Sequence, residues 1–134
     1  MIKFCVEGEP TAKGRARFTG NRCYTPKKTA DYEELVKVCY RLGNTVKYET
    51  EPLKCEIKAY YKIPSSDSKK KRVEKIKGLI RPTKKPDCDN VAKAILDALN
   101  GLAYKDDSQV VELHIIKYYA EQPKVEVIIT EVLK

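Results

Sequence analysis

Residues 2–7 alternate, with Ile2, Phe4 and Val6 on one beat and Lys3, Cys5 and Glu7 on the other. That period of two is the signature of a half-buried strand. Gly8 and Pro10 end it, and a long basic loop is expected over residues 11–28. Residues 29–42 carry Tyr32, Leu35, Val36, Cys39 and Tyr40 at helical spacing, and Gly43-Asn44 stops that helix. Leu53, Cys55, Ile57, Ala59 and Tyr61 alternate with polar partners, giving a second strand that Pro64 closes. A Lys-rich stretch over residues 66–78 predicts a short, mostly exposed helix, followed by a loop with two prolines over 81–86. In residues 90–100, Val91, Ala92, Ile95, Leu96, Ala98 and Leu99 wrap most of a helix, leaving one polar stripe of Asn90, Lys93, Asp97 and Asn100. Two strands, 109–120 and 124–133, follow; the tight turn near Gln122-Pro123 predicts that they pair as a hairpin. The order β-α-β-α-α-β-β describes a single small α/β (α+β) domain over residues 1–134. Its mixed sheet would have four strands, packed by three helices.

Composition agrees. A chain of 134 residues with 42% hydrophobic and 34% charged positions has room for one core. No run approaches the roughly 18 apolar residues of a membrane span. The amino-terminal MIKFCVEGEP lacks the apolar stretch of a signal peptide, so a cytoplasmic location is expected. The five cysteines are odd in number and form no CxxC pair, which argues for reduced thiols, with Cys5 and Cys55 expected to lie in their strands as small buried hydrophobes. Cys88 reads as a spacer.

Charge changes the picture. The net charge is +8, and it is concentrated. Residues 11–28 hold six Lys/Arg and no acid; residues 67–85 hold nine Lys/Arg against two acids. Such asymmetry marks a face for a polyanion. Lys13, Arg15 and Arg17 alternate and in extended chain would present three cations to phosphates. Arg22 joins them from the first segment, and Lys69, Lys70, Lys71, Arg72, Lys84 and Lys85 from the second. Tyr24 and Tyr104 are candidates either to stack on exposed bases or to pack.

Against that basic surround, four carboxylates gather around one helix. Asp87 and Asp89 stand one residue apart in KPDCDN, Lys93 follows a turn later, and Asp106-Asp107 ends the next loop. In extended chain before the helix, residues two apart project to the same side, so Asp87 and Asp89 are expected to share one cation. The positive end of the helix dipole favours negative groups there. Asp106-Asp107 is expected to return to that same end after the 101–105 connection and supply a third ligand. Mg²⁺ takes hard oxygen ligands, usually one or two carboxylates with a substrate phosphate. A cation so held, alone or as one of two, activates water and neutralises phosphate for in-line attack. Lys93, at i+4 from Asp89, would stabilise charge developing on the phosphate or orient the water. The plainer reading makes either aspartate an N-cap worth about 1 kcal/mol, Lys93 a salt-bridge partner and 106–108 a turn. One N-cap, however, explains only one of two adjacent aspartates. Asp97 reads as a salt-bridge or supporting partner, Asp106 as supporting, and His114 as structural. A PD-(D/E)xK arrangement does not fit, since no acid-x-Lys strand follows Pro86-Asp87.

The segment KPDCDNVAKAILDALNGLAYKDDSQVVELHIIKYY resembles the signature of the RusA family of Holliday-junction resolvases. That signature is K-P-D-x-D-N, a Lys four residues after the second Asp, a D-A-L-N helix end, and D-D-x-Q-V. The resemblance reaches the amino-terminal strand and the basic GEPTAKGRAR, and so covers most of the chain. It implies a Mg²⁺-dependent endodeoxyribonuclease, with Mn²⁺ able to substitute and no nucleotide cofactor. Such an enzyme would act as a homodimer on four-way DNA junctions, by paired symmetric nicks, in recombination and repair. It implies Asp87, Asp89 and Asp107 as metal ligands and Lys93 as the essential lysine; Cys88 replaces a more usual aliphatic spacer. Two other classes stay open: a non-catalytic protein that binds branched DNA, and a nuclease of broader branched or flap selectivity.

Overall fold

Strand β4 (Leu53–Lys62) is the centre of the fold. The computed structural model of the chain describes residues 1–13 and 27–132 in full, and the backbone of residues 17–19 and 22–24. β4 buries Leu53, Cys55, Ile57, Ala59 and Tyr61 on one face, as its alternation predicts. β6 (Lys124–Glu131) pairs with it antiparallel and β5 (Val110–Ala120) parallel. β1 (Ile2–Glu7) pairs antiparallel with β6, giving the order β1-β6-β4-β5. Parallel neighbours need a crossover connection. Helices α2 (Lys69–Ile76) and α3 (Cys88–Leu99), which lie between β4 and β5 in the chain, supply it. α1 (Lys27–Arg41) packs on α3 and β1, and the two helices close the apolar face of the sheet over one core.

The expected hairpin of the last two strands does not form. Residues 121–123 do make a tight connection, but β4 lies between β5 and β6: Lys62 pairs with Ala120, and Tyr60 with Lys124. A short connection fixes only where two strands end, and here it steps over the tip of a third. Burial explains the arrangement. β6 buries Val125, Val127 and Ile129 in strict alternation and takes an interior slot, whereas β5 leaves residues 111–114 exposed and lies at the edge.

Three further expectations are corrected. The basic stretch is not all loop: β2 (Arg17–Thr19) and β3 (Arg22–Tyr24) pair antiparallel as a separate ribbon. Three residues each is too short for alternation to register, although Gly20-Asn21 between them is a hairpin signal. Leu35 is 42% exposed, because the buried stripe of α1 runs through Thr29, Tyr32, Val36 and Tyr40. Cys5 is exposed on the polar beat of β1; Cys55 is buried, and none of the described cysteines forms a disulfide.

Burial pushes the Cys55 thiol and the Tyr61 phenol each up to about 12. Both are acids whose folded-state pKa is raised, so the unfolded chain releases their protons first. Stability is therefore full below about pH 9 and falls as pH rises toward 12. Melting temperature against pH should show that alkaline decline, and Cys55→Ala should flatten its lower part.

Candidate active site

Helix α3 begins two residues earlier than the sequence pattern predicts. Asp87 is its N-cap in extended conformation (φ −70°, ψ 159°), and Asp89 lies in the first helical turn. The extended-chain alternation that was expected to align the two carboxylates therefore stops short of Asp89. A plain N-cap would accept a bond from a first-turn amide, yet the Asp87 side chain makes no capping bond. Asp87, Asp89 and Lys93 are all exposed, and no ion pair among the described residues engages any of them. Two carboxylates are thus held uncommitted at the positive end of the helix, with the exposed Lys93 one turn further along it. Beside them lies a cavity of about 290 Å³, whose lining includes Lys28, Lys85, Asp87 and Asn90. Lys28, in the first turn of α1, counts in the basic segment but is not singled out by the sequence, because only the fold brings it to the cavity that Asp87 lines.

The segment before Asp87 is tied to the sheet. The Tyr61 hydroxyl donates to the Pro86 carbonyl at 2.5 Å, the Lys117 ammonium to the Lys84 carbonyl at 2.5 Å, and Arg81 Nε to the Lys117 carbonyl at 2.7 Å. Lys117 Nζ also lies 5.0 Å from the Tyr61 ring centroid, and the Arg81 guanidinium 4.2 Å from that of Tyr118. The Lys85–Pro86 bond is cis.

The acidic pair lies elsewhere. Asp106 caps the 3-10 turn Asp107–Gln109, and the Asp107 amide donates to Asn100 Oδ1 at 2.8 Å. Asn100 caps the carboxyl end of α3, so Asp107 stands at the opposite end from Asp89, about 16 Å along the axis at 1.5 Å per residue. The expected return to the amino-terminal end does not occur, because the five-residue connection is spent on the turn at Gly101 (φ 74°). Among the described residues, no three His, Cys, Asp or Glu side chains form a group that could hold a metal ion. The chemistry of Asp87 and Asp89 suits a hard cation, and both stand at the amino-terminal end of α3, but one chain adds no third carboxylate there.

Gln109 explains how the acidic turn keeps its shape. Its Oε1 accepts the amides of Lys105 and Asp106 at 2.9 and 3.1 Å, and its Nε2 donates to the carbonyls of Tyr48 and Glu51 at 3.4 and 3.2 Å. Ser108 bonds to Asp106 hold that carboxyl below its usual range. Asp106 is therefore a turn-former. Tyr104 is fully buried, donating to the Leu96 carbonyl at 2.5 Å, so it packs and cannot stack on a base.

The basic candidates divide. The Lys13 ammonium pairs with Glu33 and lies 3.5 Å from Asp97 Oδ2. Burial works to lower its pKa, but the Glu33 hydrogen bond and the charges of Glu33 and Asp97 outweigh it and hold the ammonium protonated. Asp97 is thus a salt-bridge partner, as expected, though of Lys13. Arg72 donates to the Pro64 carbonyl and the Glu121 carboxylate, which makes it a strut for α2. Lys69, Lys70 and Lys71 are exposed in the first turn of α2 and in no ion pair among the described residues. Cations there oppose the helix dipole, so they add nothing to helix stability and stay available to phosphates. Lys84 and Lys85 are exposed next to Asp87. Arg15 lies outside the described residues, as do the side chains of Arg17, Arg22 and Tyr24. His114 is exposed on the edge strand opposite Glu56.

The chain is thus a small mixed-sheet domain with free carboxylates in a basic surround, and comparison with known proteins gives its class, that of endodeoxyribonucleases. The family model described as endodeoxyribonuclease RusA matches residues 7–130. The chain belongs to the RusA family of Holliday-junction endonucleases, metal-dependent enzymes that bind branched DNA. It is 44% identical over 137 residues to the uncharacterized protein YqaN of Bacillus subtilis (strain 168), across 98% of this chain and 96% of that one. Among the described residues no helix is long and apolar enough to cross a membrane.

Proposed function

We propose that this protein is a Mg²⁺-dependent endonuclease that resolves four-way DNA junctions by paired nicks, working as a homodimer in cytoplasmic DNA recombination and repair. The observation that carries the reading is the uncommitted set Asp87, Asp89 and Lys93 at the amino end of α3. A bare carboxylate pair hinders binding of a polyanion unless a cation joins it. Asp87 and Asp89 would hold that cation, and Asp107 would complete the set. When bound, the cation supplies activated water and neutralises the phosphate. Lys93, one turn after Asp89 on the same helix, would offer its ammonium to charge developing on the phosphate. Lys84, Lys85, Lys69, Lys70 and Lys71 steer the DNA backbone toward it.

Asp107 reaches this site from a second copy. Its tether to Asn100 puts it at the wrong end of its own helix, and the exposed stripe of α3 links the two acidic ends. A two-fold axis laying that stripe against its copy would bring Asp107 of the partner subunit beside Asp87 and Asp89, twice over. Two sites per dimer is also what two symmetric cuts require.

A non-catalytic junction binder shares the basic face but not the need for free carboxylates. Wild type and Asp89→Asn, each given duplex, flap and four-way substrates, separate these readings. Both proteins are expected to bind the junction with a steep salt dependence, and only wild type should cut it, ceasing in EDTA. Binding without cutting by wild type would leave a non-catalytic protein. Equal cutting of flaps would leave a nuclease of broader selectivity.

A further inference from the structure

The carboxylate at Asp87 is placed by backbone it does not itself contact. Its side chain makes no bond to its own helix. What fixes it is the run of residues 81–86, which is exposed apart from the buried Pro82 and partly covered Pro86. Three side-chain bonds tie that run to the sheet, and two of them end on the carbonyls of Lys84 and Pro86, three and one residues before the carboxylate. The third, from Arg81, returns to the backbone of Lys117, the residue whose ammonium grips Lys84.

From these contacts we infer that Tyr61 and Lys117 are positioning residues for the metal-binding end of α3. This role rests on the endonuclease reading. Tyr61 is the better anchor. It lies on the central strand, is 1% exposed, and has a phenol whose proton burial holds up to about 12. Its O–H therefore donates to Pro86 throughout any workable pH. Lys117 spans two partners at once, with the Lys84 carbonyl at 2.5 Å and the Tyr61 ring face at 5.0 Å. A cation over an aromatic face is attracted to it, so the ring steers the ammonium that grips the arm. Residues 81–86 are thus joined to β4 and β5, the longest-paired strands of the sheet, rather than to their own helix. Loss of either donor should let residues 84–87 move while the core stays intact.

Tyr61→Phe removes one hydrogen-bonding oxygen and keeps the ring. On a four-way junction it should lower kcat about tenfold and raise the Mg²⁺ concentration for half-maximal nicking severalfold, with KM for the junction within twofold. Backbone amides of residues 84–89 should exchange with solvent about tenfold faster than in wild type, with those of β4 unchanged. Lys117→Met should behave alike, and Lys117→Arg, which keeps a donor, should recover most of the loss. A purely structural bond would move melting temperature alone. If folded Tyr61→Phe nicks with wild-type kcat and Mg²⁺ requirement, the positioning role is overturned. If wild type itself does not nick, the endonuclease reading falls and the exchange measurement decides: unchanged exchange at residues 84–89 overturns the clasp.

Discussion

Asp89→Asn and Asp107→Asn should each lower junction nicking at least about a thousandfold, a loss of roughly 4 kcal/mol of transition-state stabilisation. An equimolar mixture of the two variants, allowed to exchange subunits, should nick again. Asp89 opens α3 and the Asp107 amide is bonded to its carboxyl cap, so one chain does not bring them to one ion. In a two-fold dimer with shared sites, a mixed dimer carries both lesions in one site and neither in the other. About half the dimers are then mixed with one intact site each, leaving about a quarter of the wild-type sites. Those sites should give single nicks and few paired cuts. A mixture as inactive as its components would mean that both carboxylates serve the same chain's site.

The second large effect is on stability. Lys75, on the inner side of α2, pairs with Asp67, and both side chains are 10% exposed. The same ammonium lies 4.5 Å from the Tyr119 ring centroid. Removing one partner of a buried pair strands the other, so Asp67→Ala should destabilise the fold by about 3 kcal/mol, read from the urea midpoint. Lys75→Met, which removes the charge and keeps an apolar stem over Tyr119, should lose less than half of that. Similar losses in the two variants would show that the pair, and not the stranded ammonium, carries the energy. Because α2 carries Lys69, Lys70 and Lys71, Asp67→Ala should also weaken junction binding at temperatures where the rest of the fold survives.

The strands and helices were legible wherever burial is one-sided. β1 and β4 alternate because one face meets helices, and α3 is apolar around most of its surface because it is enclosed. What the pattern could not carry was adjacency. The insertion of β6 between β1 and β4 leaves the same alternation as a hairpin would, and the β2–β3 ribbon is too short to have a period. At the candidate site, the nearness of Asp87, Asp89 and Lys93 along one helix was legible because their spacing is local. The position of Asp107 was not: whether five residues return along a helix or turn at its end depends on Asn100 and Gln109 bonding the turn. Tyr61, Lys117 and Lys28 were silent for a related reason, since each matters through residues far away in sequence. Lys13 and Arg72 looked like phosphate contacts because sequence cannot reveal which cations the fold has already paired.

The central claim is paired, metal-dependent incision of a four-way junction. Its most direct measurement is a cleavage map of a synthetic junction with each strand labelled in turn, using the wild-type protein with Mg²⁺ and with EDTA. The account predicts nicks at symmetric positions in two opposing strands with Mg²⁺ and none with EDTA. Intact strands with Mg²⁺, or the same nicks in EDTA, would contradict it.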